Sequence, residues 1–391
     1  MFDHRGRADM ALPPFVSALP PKADIRRTDC GVRLVPIADI HRHTSPRARE
    51  RLECKIVQKI APGIEGPMSN LKPVDRLEVH ILVDNTTDSL SSIPAHVESE
   101  FSYLRRKGMR ILSGKCICCA NHGLSCLLTA HRGETSHTVL FDTGPEADTF
   151  ERNTHRLGID LRIVESVILS HGHWDHAGGI LRAIDMVRAD GSNRDLPYYA
   201  HPDMFRTRGR QLPDGEIMPM EDVPSIKELA SHGARVVSTR EPQVFLDDMF
   251  YVSGEIPRVT PFEQGLPFHY AKTEKGWEPD PWLIDERWLG VNVSGKGLVV
   301  FSACSHAAVI NVLKDARAKF QDFPLHTVLG GFHLSGPTEK IIPETVDALR
   351  DFGLTTIAAG HCTGWRAMAA LTKAFGGEIV TPTAVGKRFV F

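Results

Sequence analysis

The chain has 391 residues, 42% of them apolar and 24% charged, which suits a large water-exposed globule with a sizeable core. It shows neither the ~20-residue apolar run of a membrane helix nor the apolar stretch of an export signal, so a cytoplasmic location without membrane association is expected. Its net charge of −2 is uneven: residues 1–60 hold 12 basic and 7 acidic side chains, leaving an acidic remainder that argues against a general nucleic-acid binder.

Residues 1–70 mix prolines ("LPPF", "LPPKADI") with arginine clusters ("HRHTSPRARERL") and carry little periodicity. They are read as a disordered or non-native extension, with Met68 as an alternative start. Residues 71–391 are expected to form one large α/β domain. "RLEVHILVDN" alternates Leu77, Val79, Ile81 and Val83 as a strand. "CICCANHGLSC" follows; its Cys116, Cys118, Cys119 and Cys126 fit no zinc or iron–sulfur spacing and are read as buried free thiols, with "GLSCLLTA" as a strand. "HTVLFDTG" and "RIVESVILS" are further strands. A helix follows with Ile180, Leu181, Ile184 and Val187 on one face. Residues 190–290 read as an irregular insertion. Beyond it, "GKGLVVFSACSH" predicts a buried strand and then a helix from Ala307 bearing Val309, Val312, Leu313, Ala316 and Phe320. "HTVLGGFHL", "IPETVDALRDFG" and "TTIAAGHCTG" give strand, helix and strand.

Polar residues recur at one point of each unit. Asp142, the cluster "SHGHWDH", Cys304-Ser305-His306, His333 and His361-Cys362 each follow an apolar strand. Ligand sites in α/β folds gather beyond the carboxyl ends of strands, so these side chains are expected to share one site. Alternation lets His171 and His173 face one ion, while Asp175 and His176, where the chain turns into a helix, face a second. Gly172 and Gly178-Gly179 permit tight bends. Imidazole with carboxylate suits zinc, with iron or manganese as alternatives. A hydrated histidine loop is the competing reading.

"HGLSCLL", "LFDTG", "LSHGHWDHAGG", "FSACSHAAVINVL", "VLGGFHL" and "GHCTG", in this order from about Leu77 to about Val380, resemble the metallo-β-lactamase superfamily. Among its branches they are similar to the 7,8-dihydropterin-6-methyl-(ribofuranosyl)aminobenzene-phosphate synthases. The resemblance implies an α+β fold, a four-layer αβ/βα sandwich of two mixed β-sheets flanked by helices with a metal site at one edge. It makes His171, His173, Asp175, His176 and His361 ligands, and Asp142 an acceptor that orients a ligating imidazole. "SACSH" falls where many members place a bridging aspartate; His306 is favoured as the ligand there and Cys304 is the alternative. No counterpart of a further histidine before Cys304 is evident, and His201 in "YAHPD" is read as a loop residue.

The implied chemistry is hydrolysis of an ester, phosphoester or lactone of a small, anionic molecule by a hydroxide bridging two divalent ions, zinc first among the candidates. Asp175 is the proton acceptor and His333 the donor to the leaving group. Two alternatives stay open. One is transfer between a pterin and an aminobenzene-ribose phosphate, with Trp277, Trp282 or Trp288 stacking on the pterin. The other is nucleic-acid processing, which the acidic body disfavours. Homo-oligomerisation is left open.

Overall fold

A computed structural model describes residues 70–191 and 194–391. The expected extension, with Met68, Cys30 and Cys54, lies outside the described residues.

Two mixed sheets stack face to face. The first runs, in spatial order, Val97–Glu98, Arg388–Val390, Arg76–Val83, Ser125–Arg132, Thr135–Phe141, Ser166–Ile168, Pro197–Ala200 and Arg235–Ser238. It is antiparallel as far as Thr135–Phe141 and parallel beyond. The second runs Gln243–Phe245, Phe250–Val252, Leu289–Val293, Gly297–Ser302, Leu325–Gly331 and Thr356–Gly360, and its last three strands are parallel.

Period-two alternation explains the layers. In Gly297–Ser302, Val299 and Phe301 point into the core between the sheets, where they meet Val79, Ile81, Val139 and Phe141 of the first sheet. Leu298 and Val300 point the other way, onto helices Val309–Lys319, Ile342–Leu349 and Trp365–Phe375. The outer face of the first sheet offers Leu82, Leu127, Leu140 and Val167 to helices Glu100–Arg106, Ala147–Arg156 and Ile180–Val187. The result is the expected αβ/βα sandwich.

Five local expectations change. Residues 190–290 are not one irregular insertion: their strands of three to five residues extend both sheets and build a small antiparallel sheet of Arg208–Gln211, Ile217–Pro219, His269–Thr273 and Gly276–Pro279. Runs that short leave no measurable period. "RIVESVILS" holds one 3₁₀ turn, Leu161–Ile163, before a three-residue strand. "GLSCLLTA" enters its strand only at Ser125, which leaves His122 free of the sheet. The helix after "SACSH" starts at Val309 because Ala308 takes a left-handed backbone, φ 68°. Cys118 and Cys126 are buried as expected, but Cys116 and Cys119 are half-exposed.

Candidate metal centre

Six chain segments converge at one edge of the sandwich, each just past a strand: 84–85, 142–143, 170–176, 303–306, 332–333 and 361–362. Four of them turn through a residue other than glycine in the left-handed region: Asp142 (φ 58°), Ser305 (57°), His333 (41°) and His361 (47°). Each such residue costs roughly 1–2 kcal/mol of local strain, a cost that tends to persist where geometry serves a site. A glycine is needed at Gly178, where an added Cβ would lie 1.8 Å from the Pro145 carbonyl oxygen.

The first-sheet side is a hydrogen-bonded relay. Asp142, fully buried, accepts at Oδ2 from the His176 Nδ1–H (2.7 Å) and the Ser170 hydroxyl (2.7 Å), and at Oδ1 from the Ser170 backbone N–H (2.8 Å). With its proton given to Asp142, Ser170 Oγ accepts from His171 Nδ1 at 2.9 Å. His361 Nδ1 donates to Asn85 Oδ1 (2.9 Å), and His269 Nδ1 to the Asp280 carbonyl (2.8 Å). Four imidazoles thus spend their Nδ1 protons outward and turn their Nε2 atoms inward.

Those atoms crowd together. His176 Nε2 and His361 Nε2 are 3.2 Å apart, and Asp175 Oδ2 lies 3.8 and 3.5 Å from them. Facing lone pairs repel unless a proton or a metal cation lies between them. Four ligands around zinc at ~2.0–2.1 Å are spaced by about 3.3 Å, close to this triangle. Beside it, His171 Nε2 is 3.0 Å from His173 Nδ1, and the His306 ring centroid lies 4.7 and 4.8 Å from theirs. His306 is buried, and neither of its ring nitrogens has a hydrogen-bond partner. An unpartnered buried imidazole is costly and is explained by a ligand it is built to hold. The donor chemistry of the expected residues therefore fits a bound metal.

Electrostatics agree. Burial and the charges of neighbouring imidazoles hold His171, His173, His306 and His361 well below the ordinary histidine range, so they are neutral. Burial would lower His176 too, but Asp175 and Asp142 push it up to about 9, so without an ion its Nε2 holds a proton that a bound cation would displace.

The second-sheet side is held through its backbone. Glu286, buried, accepts from the His306 and Ala307 N–H groups at 2.9 and 2.5 Å. Its neighbour Asp285 accepts from Gly172 N–H (2.9 Å) and from Arg208 (2.7 Å), fixing the turn between His171 and His173. Cys304 and His333 both reach the site, with Cys304 Sγ 3.4 Å from His333 Nδ1.

A cavity of about 470 Å³ opens over these groups. Trp174, Phe268, Met220, Arg210, His122 and His333 are among the side chains that line it. Trp277, Trp282 and Trp288 do not line it: Trp288 is fully buried and donates to Asp315, and Trp277 lies under Lys272. The aromatic groups at the cavity are Trp174 and Phe268 instead. His201 packs on Glu255 (3.2 Å) and caps the turn Pro202–Phe205, away from the site. Sequence reasoning missed His269, whose Nε2 is 2.9 Å from His173 Nε2 and which falls in chain order where the missing histidine was sought. It also missed Asn85, Asp285 and Glu286. Asn85 follows a strand in "LVDN" and had a positional signal; the others had none.

The chain aligns with a solved structure described as a metal-dependent hydrolase of the β-lactamase superfamily at a TM-score of 0.58 and 22% identity, over 80% of this chain and 98% of that one. A family model for the β-lactamase superfamily domain matches residues 137–242, which hold Asp142 and the histidine cluster. The chain therefore has the metallo-β-lactamase fold and carries a match to the β-lactamase superfamily domain over residues 137–242. It is 29% identical over 250 residues to 7,8-dihydropterin-6-methyl-4-(beta-D-ribofuranosyl)-aminobenzene-5'-phosphate synthase of Methanocaldococcus jannaschii, covering 63% of this chain and 83% of the relative. It is also 28% identical to an uncharacterised protein of the same organism, over 65% of this chain and 88% of the relative. Three clusters of metal-competent atoms occur among the described residues, and Cys304 belongs to each. Among the same residues, no helix is long and apolar enough to cross a membrane.

Proposed function

We propose that this chain is a metal-dependent hydrolase that cleaves an ester, phosphoester or lactone bond of a small anionic molecule. His171, His173 and His306 would hold one divalent ion and Asp175, His176 and His361 the other, with zinc preferred and iron or manganese as alternatives. The observation that carries the reading is His306: buried, with both ring nitrogens unpartnered, against the paired imidazoles of "SHGHWDH". Once bound, such a pair lowers the pKa of water toward about 7 and polarises the bond under attack.

The remaining work falls to side chains. Asp175 Oδ2, 3.5 Å from the exposed His122 Nε2, is placed to take a proton and hand it toward solvent. His333 faces the cavity and is placed to donate one to the leaving group. Arg210, exposed on the small sheet at the cavity wall, suits an anionic substituent. Trp174 and Phe268 suit a flat apolar part. A cavity of about 470 Å³ matches a small molecule.

The test is turnover on a panel of phosphodiesters, lactones and carboxylic esters, with and without added zinc, manganese or iron, alongside elemental analysis. Turnover that chelation abolishes and an added ion restores supports the proposal. A second reading, group transfer onto a pterin, is favoured by the 29% identity to a synthase. Metal-loaded protein that ignores the whole panel but couples a pterin to an aminobenzene-ribose phosphate would establish it instead.

A further inference from the structure

We propose that Cys304, Cys362 and His333 form a separate, thiolate-rich site for a thiophilic d10 cation such as zinc or copper(I), next to the imidazole–carboxylate pair. Cys304 Sγ and Cys362 Sγ are 3.0 Å apart, closer than the ~3.5–4.0 Å of ordinary non-bonded packing. His333 Nδ1 stands 3.4 Å from Cys304 Sγ, and all three ligand atoms lie within 4.8 Å of one another. The His333 backbone N–H donates to Cys362 Sγ at 3.3 Å, a contact that suits a sulfur carrying charge.

The approach is built by the sheet. Cys304 follows Gly297–Ser302 and Cys362 follows Thr356–Gly360, with Leu325–Gly331 between them. The thiols meet over the end of that middle strand because Gly331 has no side chain. A Cβ there would lie 2.6 Å from Cys362 Sγ and 2.6 Å from the Ala303 carbonyl oxygen. Sulfur at ~2.3 Å from zinc opens the sulfur pair to about 3.8 Å and leaves the fourth position facing the cavity that all three residues line. Two sulfurs and one imidazole select soft cations, unlike the neighbouring donors. Cys362 has no part in the hydrolytic pair, but a cation held here would take His333 from its donor role and sit beside the imidazoles that cluster with Cys304.

The experiment is a cadmium titration of the reduced, metal-free full chain, followed by ultraviolet thiolate-to-cadmium charge transfer. The wild type should develop the band. Cys362→Ser and Cys304→Ser should each lose at least half of it while keeping the wild-type circular dichroism. Asp175→Ala should keep the band while losing an equivalent from the pair, which separates the two sites. His333→Ala should shift the titration to higher cadmium. No band in the wild type, an undiminished band in Cys362→Ser, or loss of two titratable thiols to a Cys304–Cys362 disulfide in place of cadmium uptake would overturn the proposal.

Discussion

The two sides of the centre are held in different ways. On the first sheet, Asp142, Ser170, His171 and His176 form a closed relay of buried hydrogen bonds, so ring orientation is fixed by the protein itself. On the second sheet, His306 is anchored only through its backbone on Glu286, and its ring touches other imidazoles without a hydrogen bond. The first side is therefore a preformed template. The second is an arm whose ring gains a partner only from an ion. Metal affinity should depend on both sides, and metal-free stability chiefly on the first.

Removing the ligating carboxylate gives the largest effect. Asp175→Ala should remove about one equivalent of metal and nearly all turnover, read by elemental analysis and by rates on whichever ester class is active. Full activity in that variant would end the two-ion mechanism.

The next contrast sets His306→Ala against Cys304→Ser. His306→Ala should lose metal and activity while the metal-free protein melts at or above the wild-type temperature, because an unpartnered buried imidazole is removed. Cys304→Ser should keep most of the activity. A cobalt-substituted enzyme whose activity follows its thiolate charge-transfer band in Cys304→Ser would reverse the assignment of these two residues.

On the template side, Asp142→Asn should weaken metal binding by about 10–100-fold, as expected for an acceptor behind a ligating imidazole. It should also lower the metal-free melting temperature, by leaving the Ser170–His176 relay partly unsatisfied. Equal melting temperatures for Asp142→Asn and His306→Ala would erase the distinction between the two sides.

The smallest effect lies away from the centre. His80, packed edge-on to Tyr103, is kept neutral by burial, its pKa drawn from 6.5 to about 4. The unfolded chain takes up this proton below about pH 6.5 and the folded chain only near 4. The stability is therefore present above pH 6.5 and lost as pH falls toward 4. His80→Gln should lack roughly 2 kcal/mol of the wild-type loss between about pH 7 and pH 5, measured as urea midpoints of the metal-free protein.

Much of this was legible in residue order. The sandwich followed from long strands with full apolar periods, such as Arg76–Val83 and Gly297–Ser302, and four of the site groups sit within six residues of one another. Asp142 and His361 were found because each ends a strand. The rest depends on closure of the fold. His269 lies on a five-residue strand of the small sheet and meets His173 from 96 positions away. Cys362 meets Cys304 only over the bare Cα of Gly331, and no spacing rule encodes a contact across an intervening strand. The left-handed turns at Ser305, His333 and His361 carry none of the glycine that usually announces them.

The most direct measurement is an anomalous difference map at the zinc edge from crystals of the zinc-loaded protein. The account predicts two peaks ~3.5–4 Å apart, one among His171, His173 and His306 and the other among Asp175, His176 and His361. A single fully occupied peak, or none within reach of His306, would contradict it.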